Sequence, residues 1–257
     1  MQKSYWMQQG LDAAAAAAAS LAEENNRLKE LEGFHAVNGA RALIANAFVH
    51  GFGIEVGAGS RPFPVGENAT VSYGDIRDAE ALGAYFKTDV IDNGFIDAET
   101  FATIKSDSLD FILSAHVIEH LKNPFGSILC GIDRLKIGGV YIIVIPDKRF
   151  TFDKNRPLTT FEHLTDDLKT GGDDTMPDAY LDHIRYVHTL YHQPILEEDE
   201  QEEVEKLLAS KMDCHVHCWT RDTFSDHVSR LLQGRNAKII FESNIKNEAA
   251  FVIKRIS

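Results

Sequence analysis

Short, mainly apolar runs recur through the middle of this chain at intervals that suit buried strands. They lie at 53–56, 70–73, 89–91, 109–113 and 140–145, and a glycine, serine, aspartate or proline follows each. Such short runs, bounded by turn residues, are typical of strands that are buried on both faces of a parallel sheet. Because stretches with helical periodicity separate them, the pattern predicts an α/β domain.

The first 48 residues have a different pattern, in which helix formers dominate. Residues 13–19 are consecutive alanines, and alanine has the highest helix propensity. Gly33 predicts a break between one helix that ends near residue 32 and a second helix over 37–48. We interpret residues 1–48 as an N-terminal helical segment that packs on the domain or forms a homodimer, and residues 49–257 as the main domain.

The last third of the chain departs from a regular strand–helix alternation. Residues 146–217 are polar, rich in histidine and aromatic residues, and predict a helical insertion on the acceptor side of the sheet. Thr220 predicts the start of a helix. Two β-rich stretches, 237–243 and 249–253, then predict a closing antiparallel pair of strands.

Composition and charge exclude several function classes. The chain has 257 residues, with 26 basic and 39 acidic side chains and a formal net charge of −13. This acidic balance argues against nucleic-acid binding and against an anionic membrane surface. No apolar run is long enough to predict a membrane span, and no signal-peptide pattern opens the chain. Three cysteines do not predict a disulfide framework, so we expect a cytoplasmic protein.

The glycine turn after the first predicted strand offers the first candidate chemistry. Glu55, Gly57 and Gly59 form the pattern E-x-G-x-G. Glycines let a ligand approach the backbone closely. A dinucleotide fingerprint would need a third glycine and a following helix, but Pro62 stands at that position and the next strand starts about ten residues later. A ligand that lacks phosphates, such as S-adenosylmethionine, therefore fits better than a dinucleotide.

Further polar side chains follow the other predicted strands. Asp75 stands at the end of the second strand, where a carboxylate can accept both hydroxyl groups of a ribose; Asp78 is a second candidate, and a helix N-cap is the alternative role for Asp75. Ser114, Ala115 and His116 stand at the end of the fourth strand. His116 is equally compatible with a place beside the reacting group and with a packing role.

Two histidine-rich patterns raise the question of a metal, and for both the sequence favours no metal site. His116 and His120 form H-x-x-E-H without an obvious third ligand. In the stretch 214–218 (C-H-V-H-C), an extended chain would direct the cysteines and the histidines to opposite sides. We expect His215 and His217 to face the acceptor cleft and the cysteines to pack as small apolar groups.

Three motifs together resemble the class I S-adenosylmethionine-dependent methyltransferases. They are Glu55-x-Gly57-x-Gly59, the run Leu109–Leu121, and Leu135–Gly139 before an apolar strand. The resemblance covers roughly residues 50 to 150. It implies a Rossmann-like seven-stranded sheet with an antiparallel last strand. It also implies a cofactor site formed by Glu55, Gly57, Ala58, Gly59, Asp75, Ile76, Asp92, Ser114 and Ala115.

A less specific string resembles a bacterial subfamily associated with surface-glycan biosynthesis. It includes Pro146–Arg149, Glu162–Leu164 and the pattern His215-x-His217-x-Trp219. The resemblance implies methyl transfer to a small-molecule or glycan acceptor, with an oxygen atom as the expected target. His116 and His163 are the candidate bases, and further polar residues could bind the acceptor: Asp147, Arg149, Asp153 and Arg156.

Two other classes stay open. The chain could bind S-adenosylmethionine without catalysis, as a partner in a glycan-assembly complex. It could instead be a nucleotide-sugar or NAD-dependent enzyme, for which a third glycine and a helix after Gly59 are expected.

Overall fold

The computed structural model describes residues 2–87, 90 and 94–257, except for the side chains of residues 2–22, 25 and 26. In this part of the chain, seven strands form one sheet and seven α-helices accompany it. The strands are β1 (Gly51–Val56), β2 (Ala69–Asp75), β3 (Gly94–Phe95), β4 (Leu109–Ala115), β5 (Leu135–Pro146), β6 (Ala237–Ile245) and β7 (Glu248–Arg255). The helices are α1 (Gln2–Phe48), α2 (Ala79–Phe86), α3 (Pro124–Arg134), α4 (Phe161–Thr170), α5 (Met176–Asp182), α6 (Glu200–Ser210) and α7 (Arg221–Leu232).

The sheet has the strand order β3-β2-β1-β4-β5-β7-β6. Strands β1 to β5 run parallel, whereas β7 is antiparallel to both β5 and β6. The order reverses between β1 and β4, which places a crevice beside the carboxyl ends of these strands. The predicted fold class, a seven-stranded Rossmann-like sheet with an antiparallel last strand, is confirmed.

The centre of the sheet is the core of the domain. Strands β4, β5 and β7 are buried on both faces, and residues 142–145 and 249–253 are almost wholly inaccessible. One apolar cluster lies on each side of them: Trp219 and Phe224 contribute to the first, and Ile44 and Phe63 to the second. Because neither face of these strands meets water over most of its length, their sequences are mainly apolar runs.

The N-terminal segment is one helix, so the predicted break at Gly33 is wrong. Helix α1 runs from Gln2 to Phe48 without interruption. Gly33 has no proline beside it, and a Cβ atom built on it would meet nothing within 4 Å. A glycine inside a helix costs only about 1 kcal/mol relative to alanine, which the good helix formers around it can offset.

The third strand also differs from its prediction. The structure places β3 at Gly94–Phe95, where Gly94 pairs with Gly74 of β2, so Gly94 is not in the predicted turn. The predicted strand over 89–91 and the candidate Asp92 fall on residues outside the described part of the chain, apart from Val90.

Helix α3 ends before the glycine pair at positions 138 and 139. It ends at Arg134, and Leu135 is already extended. Gly138, at φ 87°, lies inside β5, where the pairing register with β4 shifts. The positive φ at Gly138 therefore serves a strand irregularity and not a helix C-cap.

A helical insertion separates β5 from α7, as predicted. It contains α4, α5 and α6, and a π-helical turn over His183–Val187 extends α5. Thr160 caps α4 by accepting a hydrogen bond from the amide of His163, and Thr220 caps α7. Among the described residues, no helix combines the length and the apolar character that crossing a bilayer requires.

Candidate functional site

A wide cleft of about 1770 Å³ opens at the carboxyl ends of the central parallel strands. Gly57 and Ala58 line it from the end of β1, Asp75 from the end of β2, and Ala115 from the end of β4. Helix α1 covers the same cleft, and Phe34 is one of its lining residues. The topology thus gathers residues from three separate sequence motifs at one edge of the sheet.

The turn after β1 requires both of its glycines. Gly57 has φ 68° and Gly59 has φ 54°, a region that L-residues with a Cβ atom rarely adopt. A Cβ on Gly57 would lie 2.5 Å from Cγ2 of Val117, and one on Gly59 would lie 2.7 Å from the ring of Phe86. No residue of the fully described stretch 57–68 is helical, as the prolines predicted.

Glu55 lies beneath the glycine turn and is not among the residues that line the cleft. Its side chain is buried, and both carboxylate oxygens lie 3.0 Å from the backbone amide of Phe63, which donates to them. Burial raises the pKa of Glu55 to about 7, against the opposing effects of the Phe63 amide and of Arg41. The structure therefore gives Glu55 a role in holding the loop beneath the cleft.

Asp75 and Ile76 both line the cleft at the end of β2. The amide of Arg77 donates to Oδ1 of Asp75 at 2.9 Å. The N-cap of α2 is Asp78, which accepts a hydrogen bond from the amide of Ala81 at 2.8 Å. The N-cap alternative for Asp75 is thus excluded, and Asp75 remains the carboxylate that faces the cleft from this strand.

Sequence reasoning missed Asp97, which follows β3 and lines the cleft. Its carboxylate accepts hydrogen bonds from the amide of Glu99 and the hydroxyl of Thr100, both at 2.9 Å. The apolar pair Phe95-Ile96 directly before the acid was the available signal. Asp92, the residue predicted for this place, lies outside the described residues.

Of the three candidate residues at the end of β4, one lies in the core and two line the cleft. Ser114 is buried and does not line the cleft, whereas Ala115 and His116 do. His116 has φ 57°, an uncommon conformation for a residue other than glycine. Its Nε2 lies 2.8 Å from Oε1 of Glu248, and its Nδ1 lies 3.4 Å from Oε1 of Glu119.

These two carboxylates decide the protonation of His116. Burial lowers the pKa of His116, but the negative charges of Glu119 and Glu248 and the hydrogen bond to Glu248 outweigh it and raise the pKa to about 9. An imidazole that keeps its proton at neutral pH is a poor general base. The structure therefore does not favour the predicted base role of His116 and instead favours a role in positioning.

An ion pair that the sequence did not reveal joins α1 to this corner of the cleft. Arg41 donates to Glu248 through Nη2 at 2.6 Å and through Nε at 3.1 Å, and both side chains are buried. Glu248 therefore receives hydrogen bonds from Arg41 and from His116. The two charged partners fix the end of β7 beside the covering helix.

His163, the second candidate base, lies away from the cleft. It lines a separate pocket of about 170 Å³ together with Asp178 and Thr160. Its Nε2 lies 3.1 Å from Oδ2 of Asp167, one helical turn further along α4. His163 therefore lies in a different pocket from His116, and the structure does not favour it as the base.

The polar residues after β5 mostly pair with one another and do not line the cleft. Asp147 is buried and accepts two hydrogen bonds from the guanidinium of Arg149. Asp153 and Arg156 form a buried ion pair at 3.0 Å. Arg156 also donates to the carbonyl of His215 at 2.7 Å. This internal pairing does not favour the expectation that Asp147, Asp153 and Arg156 bind the acceptor.

The stretch 214–218 is partly as predicted. Both cysteines are buried: Cys214 belongs to an apolar cluster, and the thiol of Cys218 donates to the carbonyl of Pro157. Burial raises the pKa of the two thiols to about 12 and about 11.

Neither His215 nor His217 lines the cleft, so the expectation that both face it is wrong, and Cys214 lines it instead. His217 is buried and stacks on Trp219 with ring centroids 5.5 Å apart. The ring of His215 packs edge-on against His120, which does line the cleft.

Comparison with known proteins yields likenesses of fold only. No protein-family model and no curated protein sequence matches the chain. A structure from Rhodobacter sphaeroides, provisionally described as a Zn-dependent alcohol dehydrogenase, has TM-score 0.49 and 11% identity over 84% of this chain and 89% of its own.

Two other solved structures are described as S-adenosylmethionine-dependent methyltransferases. One from Methanosarcina mazei has TM-score 0.46 and 13% identity over 83% of this chain and 97% of its own. One from Thermotoga maritima has TM-score 0.44 and 13% identity over 90% of this chain and 94% of its own. Likenesses at this level carry no argument about activity.

Proposed function

We propose that this protein is an enzyme that transfers a methyl group from S-adenosylmethionine to an oxygen atom of a small-molecule or glycan acceptor. One observation carries the proposal. The glycine turn, Asp75 and Ala115 stand on three neighbouring strand ends and line one cleft, in a sheet whose last strand is antiparallel. This is the arrangement that the three resembling motifs imply for the class I methyltransferases.

The cleft offers a complementary surface for each part of the cofactor. The backbone at Gly57 and Ala58 suits the methionine part, because a ligand can approach a glycine turn closely. Asp75 can accept hydrogen bonds from the ribose hydroxyls. The exposed side chain of Ile76, together with Asp97, forms an apolar wall and a polar edge for the adenine. Glu55 supports the turn from below.

Methyl transfer requires mainly that the acceptor oxygen, the methyl carbon and the sulfur are aligned. A nucleophilic oxygen attacks the methyl carbon while the bond from this carbon to sulfur breaks and its electron pair stays on sulfur. The sulfonium becomes a neutral sulfide, so the leaving group needs no acid. The protein contributes by holding the two reactants in line and excluding water. His116, fixed by Glu248, positions groups at this end of the cleft.

The size and lining of the cleft support a second, polar substrate. Its volume of about 1770 Å³ exceeds the ~300–1,000 Å³ that a single small ligand usually occupies. Lys122, Asp173 and His120 add polar groups to the lining beyond the cofactor region. A hydroxylated acceptor, such as a sugar, matches hydrogen-bonding groups of this kind.

The dinucleotide alternative has less support. A pyrophosphate would need a helix N-terminus after the glycine turn, and residues 57–68 form an irregular loop that contains Pro62 and Pro64. No specific feature of the described residues favours a nucleotide-sugar or NAD-dependent reaction.

The first test is calorimetric titration with S-adenosylhomocysteine, with NAD as the control ligand. We expect binding of the first ligand only. Asp75→Asn should weaken it roughly 10- to 100-fold, because a hydrogen bond to a charged group contributes about 1.5–3 kcal/mol. Asp166→Asn, which alters an exposed carboxylate paired with Lys169, should leave the affinity unchanged.

Failure to bind S-adenosylhomocysteine, or binding of NAD instead, would refute the proposal. Binding without methyl transfer to any hydroxylated acceptor would favour a non-catalytic cofactor-binding partner.

A further inference from the structure

Three potential metal ligands converge beside the acceptor end of the cleft. Nε2 of His120 lies 4.0 Å from Oε1 of Glu119, and Nε2 of His215 lies 3.9 Å from the same oxygen. One ligand atom from each residue lies within 4.8 Å of the other two. His120 lines the cleft itself, so the group is next to the space where an acceptor would sit.

The buried carboxylate of Glu119 lacks hydrogen-bond donors among the described residues, as expected of a carboxylate that coordinates a metal ion. Its side chain is fully buried, yet neither carboxylate oxygen makes a hydrogen bond to any described residue. Nδ1 of His116 lies 3.4 Å from Oε1 of Glu119, which is an ion-pair distance without hydrogen-bond geometry. Leaving a buried carboxylate without hydrogen bonds is costly, and buried charges in proteins are normally paired or coordinate metals.

Both histidines are oriented from behind by carboxylates. Nδ1 of His120 lies 2.8 Å from Oδ1 of Asp213, and Nδ1 of His215 lies 2.6 Å from Oδ2 of Asp153. In each ring this contact leaves Nε2 directed at Glu119. Metal-binding histidines characteristically donate their other ring N–H to a carboxylate, which fixes the tautomer and the direction of the ring.

The backbone holds the three ligands together before any ion arrives. The carbonyl of Glu119 accepts hydrogen bonds from the amides of Val216 and His217, at 2.8 and 3.0 Å. Arg156 fixes the same segment by donating to the carbonyl of His215. The single turn over Ile118–His120 and the segment 215–217 are therefore joined, although they are distant in sequence.

We propose that Glu119, His120 and His215 bind one divalent first-row transition-metal ion, such as Zn²⁺ or Co²⁺. Two imidazole nitrogens and one carboxylate oxygen suit these ions better than Mg²⁺ or Ca²⁺, which prefer oxygen ligands. With ligands ~2.1 Å from a tetrahedral ion, ligand atoms lie about 3.4 Å apart. The observed 3.9 and 4.0 Å need to close by only about half an ångström.

The metal site lies beside the cleft and could take up the acceptor directly, and this part rests on the proposed function. Three protein ligands leave at least one coordination position for a hydroxyl group of the acceptor. A coordinated hydroxyl has a lowered pKa, so it loses its proton to bulk water without a protein base. The resulting alkoxide attacks the methyl carbon, the carbon–sulfur bond breaks, and its electron pair remains on sulfur. The acceptor class is thus a neutral alcohol or sugar hydroxyl.

A second group, His163, Asp167 and His217, offers an internal comparison. Its ligand atoms also lie within 4.8 Å of one another. It is not part of the cleft: none of its residues lines it, and His217 and Asp167 are fully buried. An ion bound there would be remote from the proposed reaction, so the experiment must separate the two groups.

The test titrates the full-length, chelator-treated protein with Co²⁺, followed by visible absorption, and with Zn²⁺, followed by calorimetry. We expect a Co²⁺ spectrum that His120→Gln and His215→Gln abolish. His163→Gln should leave this spectrum intact. Asp213→Asn should weaken Co²⁺ binding about 10- to 100-fold, as is typical when a metal-bound histidine loses its outer partner. The exposed matched variant Asp166→Asn should bind Co²⁺ as the unaltered chain does.

Circular dichroism verifies that each variant is folded. A folded unaltered chain that binds neither ion, or a Co²⁺ spectrum that only His163→Gln abolishes, would overturn the assignment. Titration of the same samples with S-adenosylhomocysteine separates the two proposals. Metal binding without cofactor binding would support the metal site and refute the proposed function. Cofactor binding without metal binding would support the proposed cofactor and refute the metal site.

Discussion

Replacing Glu55 with glutamine should remove a marked pH dependence of stability. Glu55 lies beneath the glycine turn, and burial raises its pKa from 4.5 to about 7. The folded protein therefore holds a proton on this carboxyl group at pH values where the unfolded chain has released it. Folding takes up this proton between pH 4.5 and about 7, so stability decreases as the pH rises through that window.

The size of the effect follows from the two pKa values. A difference between 4.5 and about 7 corresponds to roughly 3 kcal/mol, at 1.36 kcal/mol per pKa unit. Integrated between pH 5 and pH 8, the contribution of Glu55 to the free energy of unfolding should fall by roughly 2.5 kcal/mol. Glutamine cannot ionise but keeps one oxygen that can accept the Phe63 amide, so Glu55→Gln should lose this decline.

Urea unfolding at pH 5, 6, 7 and 8 measures the difference directly. We expect the stability of Glu55→Gln relative to the unaltered chain to rise by roughly 2–3 kcal/mol from pH 5 to pH 8. Glu67→Gln, which changes an exposed carboxyl group in the same loop, provides the matched control and should run parallel to the unaltered chain. Parallel curves for Glu55→Gln as well would refute the conclusion that Glu55 is buried and retains its proton.

The same glycine-to-alanine change should have opposite effects at two sites. Gly33→Ala should stabilise α1 by up to about 1 kcal/mol, because Gly33 is helical with open space around it. Circular dichroism should show a higher melting temperature of the helix. A lower melting temperature would contradict a continuous helix at Gly33. Gly57→Ala should destabilise the domain by about 2–4 kcal/mol in urea and weaken binding of S-adenosylhomocysteine, because its φ is 68° and the added Cβ would lie 2.5 Å from Val117. A loss below about 0.5 kcal/mol would contradict the geometry of the turn.

The sheet was largely predictable because burial on both faces leaves a local signature. The runs at 109–113 and 140–145 are apolar apart from Asp110, and they form the central strands β4 and β5. The closing pair of strands was predictable from its β-rich composition, although β6 is largely exposed. The prediction failed at Gly33 because the propensity of one residue does not measure how well its neighbours sustain a helix.

The candidate site was predictable only where its residues follow strands. Gly57, Asp75 and Ala115 could be placed from their positions, because parallel strands end at the same edge. The charged contacts could not be placed in this way. Arg41 and Glu248 are 207 residues apart, and His120 and Asp213 are 93 apart, so only tertiary packing joins them. The protonation of His116 depends on Glu119, which is in its own motif, and on Glu248, which only tertiary packing brings close.

A crystal structure with S-adenosylhomocysteine bound tests the central claim most directly. We predict that the ligand lies in the large cleft, with its ribose hydroxyls against Asp75 and its amino-acid part against the turn at Gly57. Its sulfur should point towards the end of β4 near His116. Density for the ligand elsewhere on the protein, or a cleft that takes up NAD and excludes S-adenosylhomocysteine, would contradict the assignment of this cleft as a methyl-donor site.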